Sequence, residues 1–166
     1  MDTNPQVSDE EILVRLEAAP EERWTELGAA ADALAALPAV ASWDDGRGQD
    51  GGVTHMPYVT YDDAVYRLTD ALSGVTGGIL VFDWGTWGGL ERYERGAGLD
   101  EAPVTEAARL VTAVVRSERF SEGAIEDAIE SGMVGAIVRR LWRWHDEGSR
   151  HQTGQEPASG GVSVDA

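Results

Sequence analysis

The sequence contains no cysteine and no lysine, so all 13 of its basic residues are arginines. The absence of cysteine excludes disulfide bonds, thiol nucleophiles and thiolate metal sites. No apolar run approaches the roughly 20 residues that a membrane-spanning helix needs. The N-terminus also lacks a basic segment followed by an apolar one, which is the pattern of a secretory leader. We therefore expect a cytoplasmic protein with no membrane segment.

The common catalytic and nucleotide-binding motifs are also missing. There is no Walker A loop, no G-x-S-x-G elbow, no H-E-x-x-H pair and no dinucleotide fingerprint. His55, His145 and His151 are scattered, so neither a histidine-based metal site nor a cofactor is predicted. The acidic loop around Asp44 and Asp45 lacks the ligand spacing of an EF-hand, which favours a solvated loop over a calcium site.

The net charge is −17, an extreme value for 166 residues. A halophile that accumulates salt explains this charge and the missing lysine together, whereas a GC-rich genome explains only the missing lysine. In about 1 M salt the Debye length falls to about 3 Å, so long-range attraction to nucleic acid would be screened. Nucleic acid is therefore an unlikely partner, and short, desolvated ion pairs are the ones that matter.

Hydrophobic periodicity and capping residues predict an all-α or mostly α single domain of about seven helices. Ser8 and Glu11 have capping-box spacing at the start of the first helix. Extended or strand segments are predicted near residues 53–61 and 79–82. The helices are predicted at residues 9–18, from Pro20 to about residue 37, from a Thr60 cap to Gly74, at 86–95, at 104–118, after a Ser121 cap, and from Met133 to about Asp146.

Composition divides the chain into three parts. Residues 1–56 are predicted to form N-terminal helices and an acidic loop, which also contains Asp50, packed on the main domain. Residues 57–147 are predicted to form a helical domain. Residues 148–166 are rich in Gly, Ser and Gln, and this composition favours a disordered tail.

Two tryptophans next to a carboxylate form the first candidate site. In Phe82-Asp83-Trp84-Gly85-Thr86-Trp87, the two indoles are three residues apart and share a face if the segment is helical. Such rings can form a pocket wall, with Asp83 as hydrogen-bond acceptor or general base. The favoured alternative is that Trp84 and Trp87 are core residues and that Asp83 caps a helix.

Two arginines at a helix junction form the second candidate site. Arg116 and Arg119 are three residues apart, close to the predicted start of the helix that follows Ser121. Guanidinium groups and free N–H groups at a helix start both favour anions, so a phosphate or carboxylate site is predicted here. The equally favoured alternative is a salt-bridge network, in which Arg119 pairs with Glu122 or either arginine pairs with Asp83.

A third stretch, residues 139–145, interleaves arginines with Trp142 and Trp144. Such interleaving can bind nucleic acid through phosphate contacts and base stacking. However, the stretch is predicted to end a helix, where cations suit the negative end of the helix dipole, and the total charge opposes a polyanion. Stabilisation of the helix end is therefore the favoured interpretation.

These motifs together resemble a bacterial and archaeal family, the domain of unknown function numbered 6508. The resemblance covers about residues 57–145 and implies no activity or ligand. It is carried by Pro57-Tyr58 with Tyr61, Phe82-Asp83-Trp84 with Trp87, Leu110-Val111-Thr112 running into Val114-Val115-Arg116, Arg119-Phe120, Glu122-Gly123, Gly132, and Ile137 through Arg139-Arg140-Leu141.

The sequence therefore favours a non-enzymatic binding or adaptor module over an enzyme. The expected ligand is an anionic small molecule or a carboxylate of a protein partner. The alternative is a small enzyme for a phosphorylated or nucleotide-like substrate, with Asp83 or Glu122 as general base and the arginines stabilising negative charge. The oligomeric state is not predicted. The predicted ligand-binding residues are Tyr58, Tyr61, Trp84, Trp87, Arg116, Arg119 and Phe120.

Overall fold

A computed structural model describes residues 6–47 and 54–153. The predicted mostly α fold is confirmed, since a two-stranded antiparallel sheet is the only sheet in the described residues. No described helix is both long and apolar enough to cross a membrane. The elements are α1 (Asp9–Ala18), α2 (Glu21–Ala35), β1 (Ala41–Asp44), β2 (Tyr58–Tyr61), α3 (Asp63–Thr76), α4 (Trp84–Trp87), α5 (Gly89–Arg92), a 3-10 turn (Glu94–Gly96), α6 (Val104–Ser117), α7 (Ala124–Glu130) and α8 (Met133–Thr153).

The N-terminal helix begins as predicted. The hydroxyl of Ser8 accepts a hydrogen bond from the backbone N–H of Glu11 at 3.1 Å. Ile12 and Leu16 are buried on one face of α1, and they join a hydrophobic core that includes Trp24 of α2 and Leu110 of α6. The N-terminal helices therefore share their core with the helices of the C-terminal half.

The α2–α3 pair differs from the prediction at three boundaries. Pro20 is the N-cap of α2 rather than its first residue, and Asp62, not Thr60, caps α3 by accepting from Ala64 N–H at 2.9 Å. Gly74 lies inside α3, which ends at Gly77 with a left-handed φ of 73°. A Cβ at Gly74 would lie 3.2 Å from Cδ of Arg23, so glycine at this position serves the close approach of α2.

The extended segment predicted near residues 53–61 is confirmed as strand β2. Its antiparallel partner, β1, has no counterpart among the predicted elements, and only Asp44 of this strand belongs to the predicted acidic loop. Residues 48–53, which include the predicted loop position Asp50, lie outside the described part. Trp43 lies opposite Val59, and Asp44 lies opposite Tyr58. An isolated hairpin of four-residue strands is unstable, so this one depends on what it packs against.

The segment of residues 79–82 is irregular chain, neither strand nor helix, so the strand predicted there is absent. Leu80 is buried, and its N–H donates to the hydroxyl of Thr112 in α6 at 3.0 Å. The carbonyl of Val81 accepts from Val7 N–H at 2.8 Å. These bonds hold the chain that leads into α4 against the middle of α6.

The helix predicted at residues 86–95 is wrong. In its place the chain forms the single-turn helices α4 and α5 and then the 3-10 turn. Gly88, between α4 and α5, has a left-handed φ of 72° that breaks the helix, and a second break at Arg95 is left-handed as well.

The C-terminal helices enclose the core. Helix α6 begins at the predicted residue and ends one residue early, at Ser117, with Leu110 and Val111 buried. Gly123, rather than Ser121, is the N-cap of α7. Helix α8 continues past the predicted end at Asp146 to Thr153. The hydroxyl of Ser149 bonds to the carbonyl of His145, so residues 148–153 are helical rather than tail; residues 154–166 lie outside the described part.

Candidate functional site: an aromatic–arginine surface

The aromatic segment that carries Asp83 is a helix start. One carboxylate oxygen of Asp83 accepts from Thr86 N–H at 3.3 Å, so the predicted capping role is present. Trp87 packs edge-to-face on Phe82, with ring centroids 5.5 Å apart. A Cβ at Gly89 would lie 2.0 Å from the Trp87 ring, which therefore covers the start of α5. Trp84 and Trp87 are both half-buried rather than fully in the core.

The two predicted site segments meet through Trp84 and Phe120. Their ring centroids are 5.8 Å apart, with a tilt of 39° between the ring planes. Phe120 is nevertheless 80% exposed, so its other face is open to solvent. This contact joins α4 to the turn that follows α6.

Arg116 and Arg119 lie on the same stretch as Phe120. The N–H of Arg119 bonds to the carbonyl of Arg116, so the chain still coils where α6 ends. Arg116 is half-buried and Arg119 is exposed. Neither side chain forms an ion pair or a hydrogen bond within the described residues, so the predicted salt bridges to Glu122 and Asp83 are not present. We call Trp84, Arg116, Arg119 and Phe120 the aromatic–arginine surface.

The N–H groups at the start of α7 are already occupied. Glu118 accepts from the N–H groups of Gly123 and Ile125, both at 2.9 Å, and from the hydroxyl of Tyr61 at 2.8 Å. Sequence reasoning expected these N–H groups to attract an external anion. The chain's own carboxylate fills that position, so any anion must be held by the arginines alone.

Glu122 and Glu126 also accept hydrogen bonds from the β1–β2 hairpin. Glu122 accepts from Val59 N–H at 2.7 Å, and Glu126 accepts from the indole N–H of Trp43 at 2.6 Å. Glu118, Glu122 and Glu126, which we call the glutamate row, therefore hold the β1–β2 hairpin against the α6–α7 corner. Their spacing of four residues gives no helical signal for this role, because the non-helical turn that ends at Gly123 separates Glu118 and Glu122 from Glu126 in α7.

Tyr58 and Tyr61 belong to the hairpin. Tyr61 is buried, and its burial, reinforced by the bond to Glu118, raises the pKa of its hydroxyl above the ordinary value. The Tyr58 ring lies 5.6 Å from the His55 ring and is exposed. Within the described residues, neither ring contacts Trp84 or Phe120, so the structure brings together only part of the predicted ligand-binding set.

The basic and aromatic stretch in α8 lies inside the helix and not at its end. Arg139 makes two hydrogen bonds with Asp100, at 3.0 and 3.1 Å, and Arg140 donates to the carbonyl of Ala102. Trp142 and Trp144 each lie 6.1 Å from the buried Trp24 ring. The rings that were considered for base stacking therefore form a packing cluster.

The acidic loop at the end of β1 is held by local bonds. Asp44 accepts from Gly46 N–H at 2.8 Å and lies 3.0 Å from Nε2 of His55. The bond from Gly46 is the main reason why the pKa of Asp44 lies below its ordinary value. Within residues 6–47 and 54–153, no three His, Asp or Glu side chains are grouped so that they could hold a metal ion.

No curated protein and no solved structure matches the chain. A family model, described as a family of unknown function (DUF6508), matches residues 19–147. The match begins before α2, so it also includes α2 and β1, which lie outside the resemblance noted at residues 57–145. It contains every residue of the aromatic–arginine surface and of the glutamate row. Because the match covers most of the sequence, the chain belongs to the DUF6508 family.

Proposed function

We propose that the protein is a non-enzymatic binding module whose aromatic–arginine surface holds a carboxylate of a protein partner. One observation carries this proposal: Phe120 is 80% exposed while it contacts Trp84, and it follows two arginines that have no ion-pair partner in residues 6–47 and 54–153. An aromatic ring beside unpaired guanidinium groups is the composition typical of interface centres.

The charge of the molecule makes the unpaired arginines informative. With a net charge of −17, carboxylates greatly outnumber arginines, and seven other arginines do form ion pairs. Arg116 and Arg119 remain available for a carboxylate from outside. A planar guanidinium binds a carboxylate through two parallel hydrogen bonds, which gives strength and orientation.

The shape of the surface favours a protein partner over a small molecule. Small ligands bind mainly in concave sites that bury most of their area. Two clefts, of about 630 and 680 Å³, are lined by other residues. The aromatic–arginine surface is open, so a partner that brings its own apolar area can cover Phe120 and shield the ion pairs from water and salt.

The alternative enzyme remains a prediction that no observation favours. Asp83 and Glu122, its candidate bases, each accept a backbone N–H bond. Glu122 also belongs to the glutamate row, so its carboxylate already holds the β1–β2 hairpin.

Isothermal titration with 3-phenylpropanoate tests the proposal, because this probe combines a carboxylate with an aromatic ring. We expect heat of binding with wild-type protein. Loss of one charge-assisted contact should weaken affinity by about tenfold or more, so Arg116→Gln and Arg119→Gln should each do so. The neutral 3-phenylpropanamide should bind equally poorly to all three proteins.

Arg143→Gln is the matched control. Arg143 is exposed and forms no ion pair in the described residues, but it lies on α8 away from the aromatic–arginine surface. We expect it to bind the probe as the wild type does. Absence of binding to wild-type protein, or equal loss in Arg143→Gln, would contradict the proposal.

A further inference from the structure

A second site is indicated by a groove of about 680 Å³. It lies between the 3-10 turn, the end of α6, helix α7 and the start of α8. Leu90, Val114 and Met133 supply apolar lining, whereas Arg95, Asp127 and Glu130 supply charged groups. The volume is in the range of small-molecule sites.

Arg95 has a backbone conformation that is costly for arginine. Its φ of 58° makes it the only non-glycine with positive φ in the described residues. Asparagine or glycine would adopt this conformation more easily. The turn cannot relax freely, because a Cβ at the next residue, Gly96, would lie 2.4 Å from Cβ of Ala136 in α8. Strained residues of this kind are concentrated at functional sites.

The guanidinium of Arg95 is also unpaired. Three carboxylates line the same groove, those of Glu94, Asp127 and Glu130. None of them forms an ion pair or a hydrogen bond with Arg95 among the described side chains. One open groove thus contains groups of both charges together with apolar side chains.

We propose that this groove binds a zwitterion with an apolar side chain, either a free amino acid or a dipeptide with both termini free. The ligand carboxylate pairs with Arg95, the ammonium group pairs with Asp127 or Glu130, and the apolar side chain lies on Leu90, Val114 and Met133. Each part of the ligand meets a group of complementary chemistry. This site does not depend on the aromatic–arginine surface.

Titration with leucine and its blocked forms tests the chemistry. Leucine should bind. N-acetyl-leucine lacks the ammonium group and leucinamide lacks the carboxylate, so each should bind at least about tenfold more weakly than leucine. The dipeptides Ala-Leu and Leu-Ala separate the two sources. Preference for leucine identifies a free amino acid, and preference for Ala-Leu or Leu-Ala identifies a dipeptide. No binding by leucine or either dipeptide up to about 10 mM would overturn the proposal.

Arg95→Gly separates binding from folding. Glycine adopts the left-handed conformation readily, so the melting temperature should be unchanged or higher. Affinity for the preferred zwitterion should nevertheless fall by at least about tenfold, and that ligand should no longer be distinguished from leucinamide. Arg143→Gln and Phe120→Ala should bind it normally. Unchanged affinity in Arg95→Gly would overturn the proposed site, whatever the result at the aromatic–arginine surface.

Discussion

The hydroxyl of Tyr61 donates a hydrogen bond to Oε2 of Glu118 at 2.8 Å, across 57 residues of chain. The same carboxylate accepts the N–H groups of Gly123 and Ile125. One glutamate therefore caps α7 and holds the hairpin. The carboxylate that lies between Arg116 and Arg119 in the sequence is therefore occupied by other donors.

Glu118→Gln should destabilise the fold. An amide replaces one acceptor oxygen by an N–H₂ group, which then faces a donor, so at least one bond is lost at a half-buried position. The expected loss in the free energy of unfolding is about 1–3 kcal/mol, measured by urea denaturation. Glu17→Gln, at an exposed position, should change it by less than about 0.5 kcal/mol. Similar values for the two variants would contradict the role of Glu118.

Stability should fall at alkaline pH through Tyr61. Burial and the bond to Glu118 raise its pKa above the ordinary value of 10.0, so the folded state keeps a proton that the unfolded state loses. The contribution is complete below pH 10.0 and is lost as the pH rises from there through the folded pKa. Burial, and to a smaller extent the carboxylate of Glu106, also raise the pKa of Tyr93. Tyr93 therefore adds to the loss of stability at alkaline pH.

Tyr61→Phe should therefore flatten the pH dependence of unfolding above pH 10.0, and Tyr93→Phe should flatten it further. The measurement is urea denaturation at a series of alkaline pH values. A slope that is unchanged in Tyr61→Phe would show that the Tyr61 hydroxyl is not protected in the folded state.

Gly123→Ala should release the hairpin. Gly123 has φ of 91°, and an added Cβ would lie 2.6 Å from the indole of Trp43. Gly98→Ala is a control for backbone strain alone, because Gly98 has φ of 75° and nothing lies within 4 Å of its added Cβ. We expect a loss of about 1–2 kcal/mol for Gly98→Ala and a larger loss for Gly123→Ala.

Only Gly123→Ala should move the NMR resonance of the Trp43 indole N–H, because that group loses its bond to Glu126. Equal losses of stability and an unmoved indole resonance would mean that the close contact with Trp43 is unimportant.

Thr112→Val should loosen the chain that leads to Trp84. Thr112 is fully buried, and its hydroxyl accepts from the buried N–H of Leu80. Valine has the same shape but leaves that N–H unpaired, at an expected cost of about 1–3 kcal/mol. Thr105→Val is the matched control, since the Thr105 hydroxyl is buried without a partner in the described residues. Thr105→Val should leave the free energy of unfolding unchanged or raise it. A loss as large as that of Thr112→Val would contradict the role of the Thr112 hydroxyl as the partner of the Leu80 N–H.

The helices that carry a strong local signal could be predicted from the sequence. Ser8 and Glu11 mark the start of α1, and the apolar spacing around Leu110 marks α6. Local sequence signals gave wrong helix boundaries where tertiary contacts also determine the structure. Gly74 resembles a helix end, but α3 continues past it to Thr76, and the side chain of Arg23 in α2 lies against it.

The candidate site was predictable only in part, for a similar reason. The sequence grouped Trp84 with Arg116, Arg119 and Phe120, and the structure places Trp84 and Phe120 in contact. It could not show that Glu118, which accepts from the N–H groups at the start of α7, also bonds to Tyr61, because Tyr61 lies in a distant hairpin. Nor could it show the left-handed backbone of Arg95 or the close packing of Ala136 against the next residue, Gly96.

The most direct test of the aromatic–arginine surface is NMR mapping of 3-phenylpropanoate on uniformly ¹⁵N-labelled protein. We expect saturable shifts at the indole N–H of Trp84 and at the backbone amides of residues 116–120. The indole resonances of Trp24 and Trp142, which belong to the packing cluster, should not move. Shifts confined to other parts of the chain, or no saturable shift at all, would contradict the proposed binding surface.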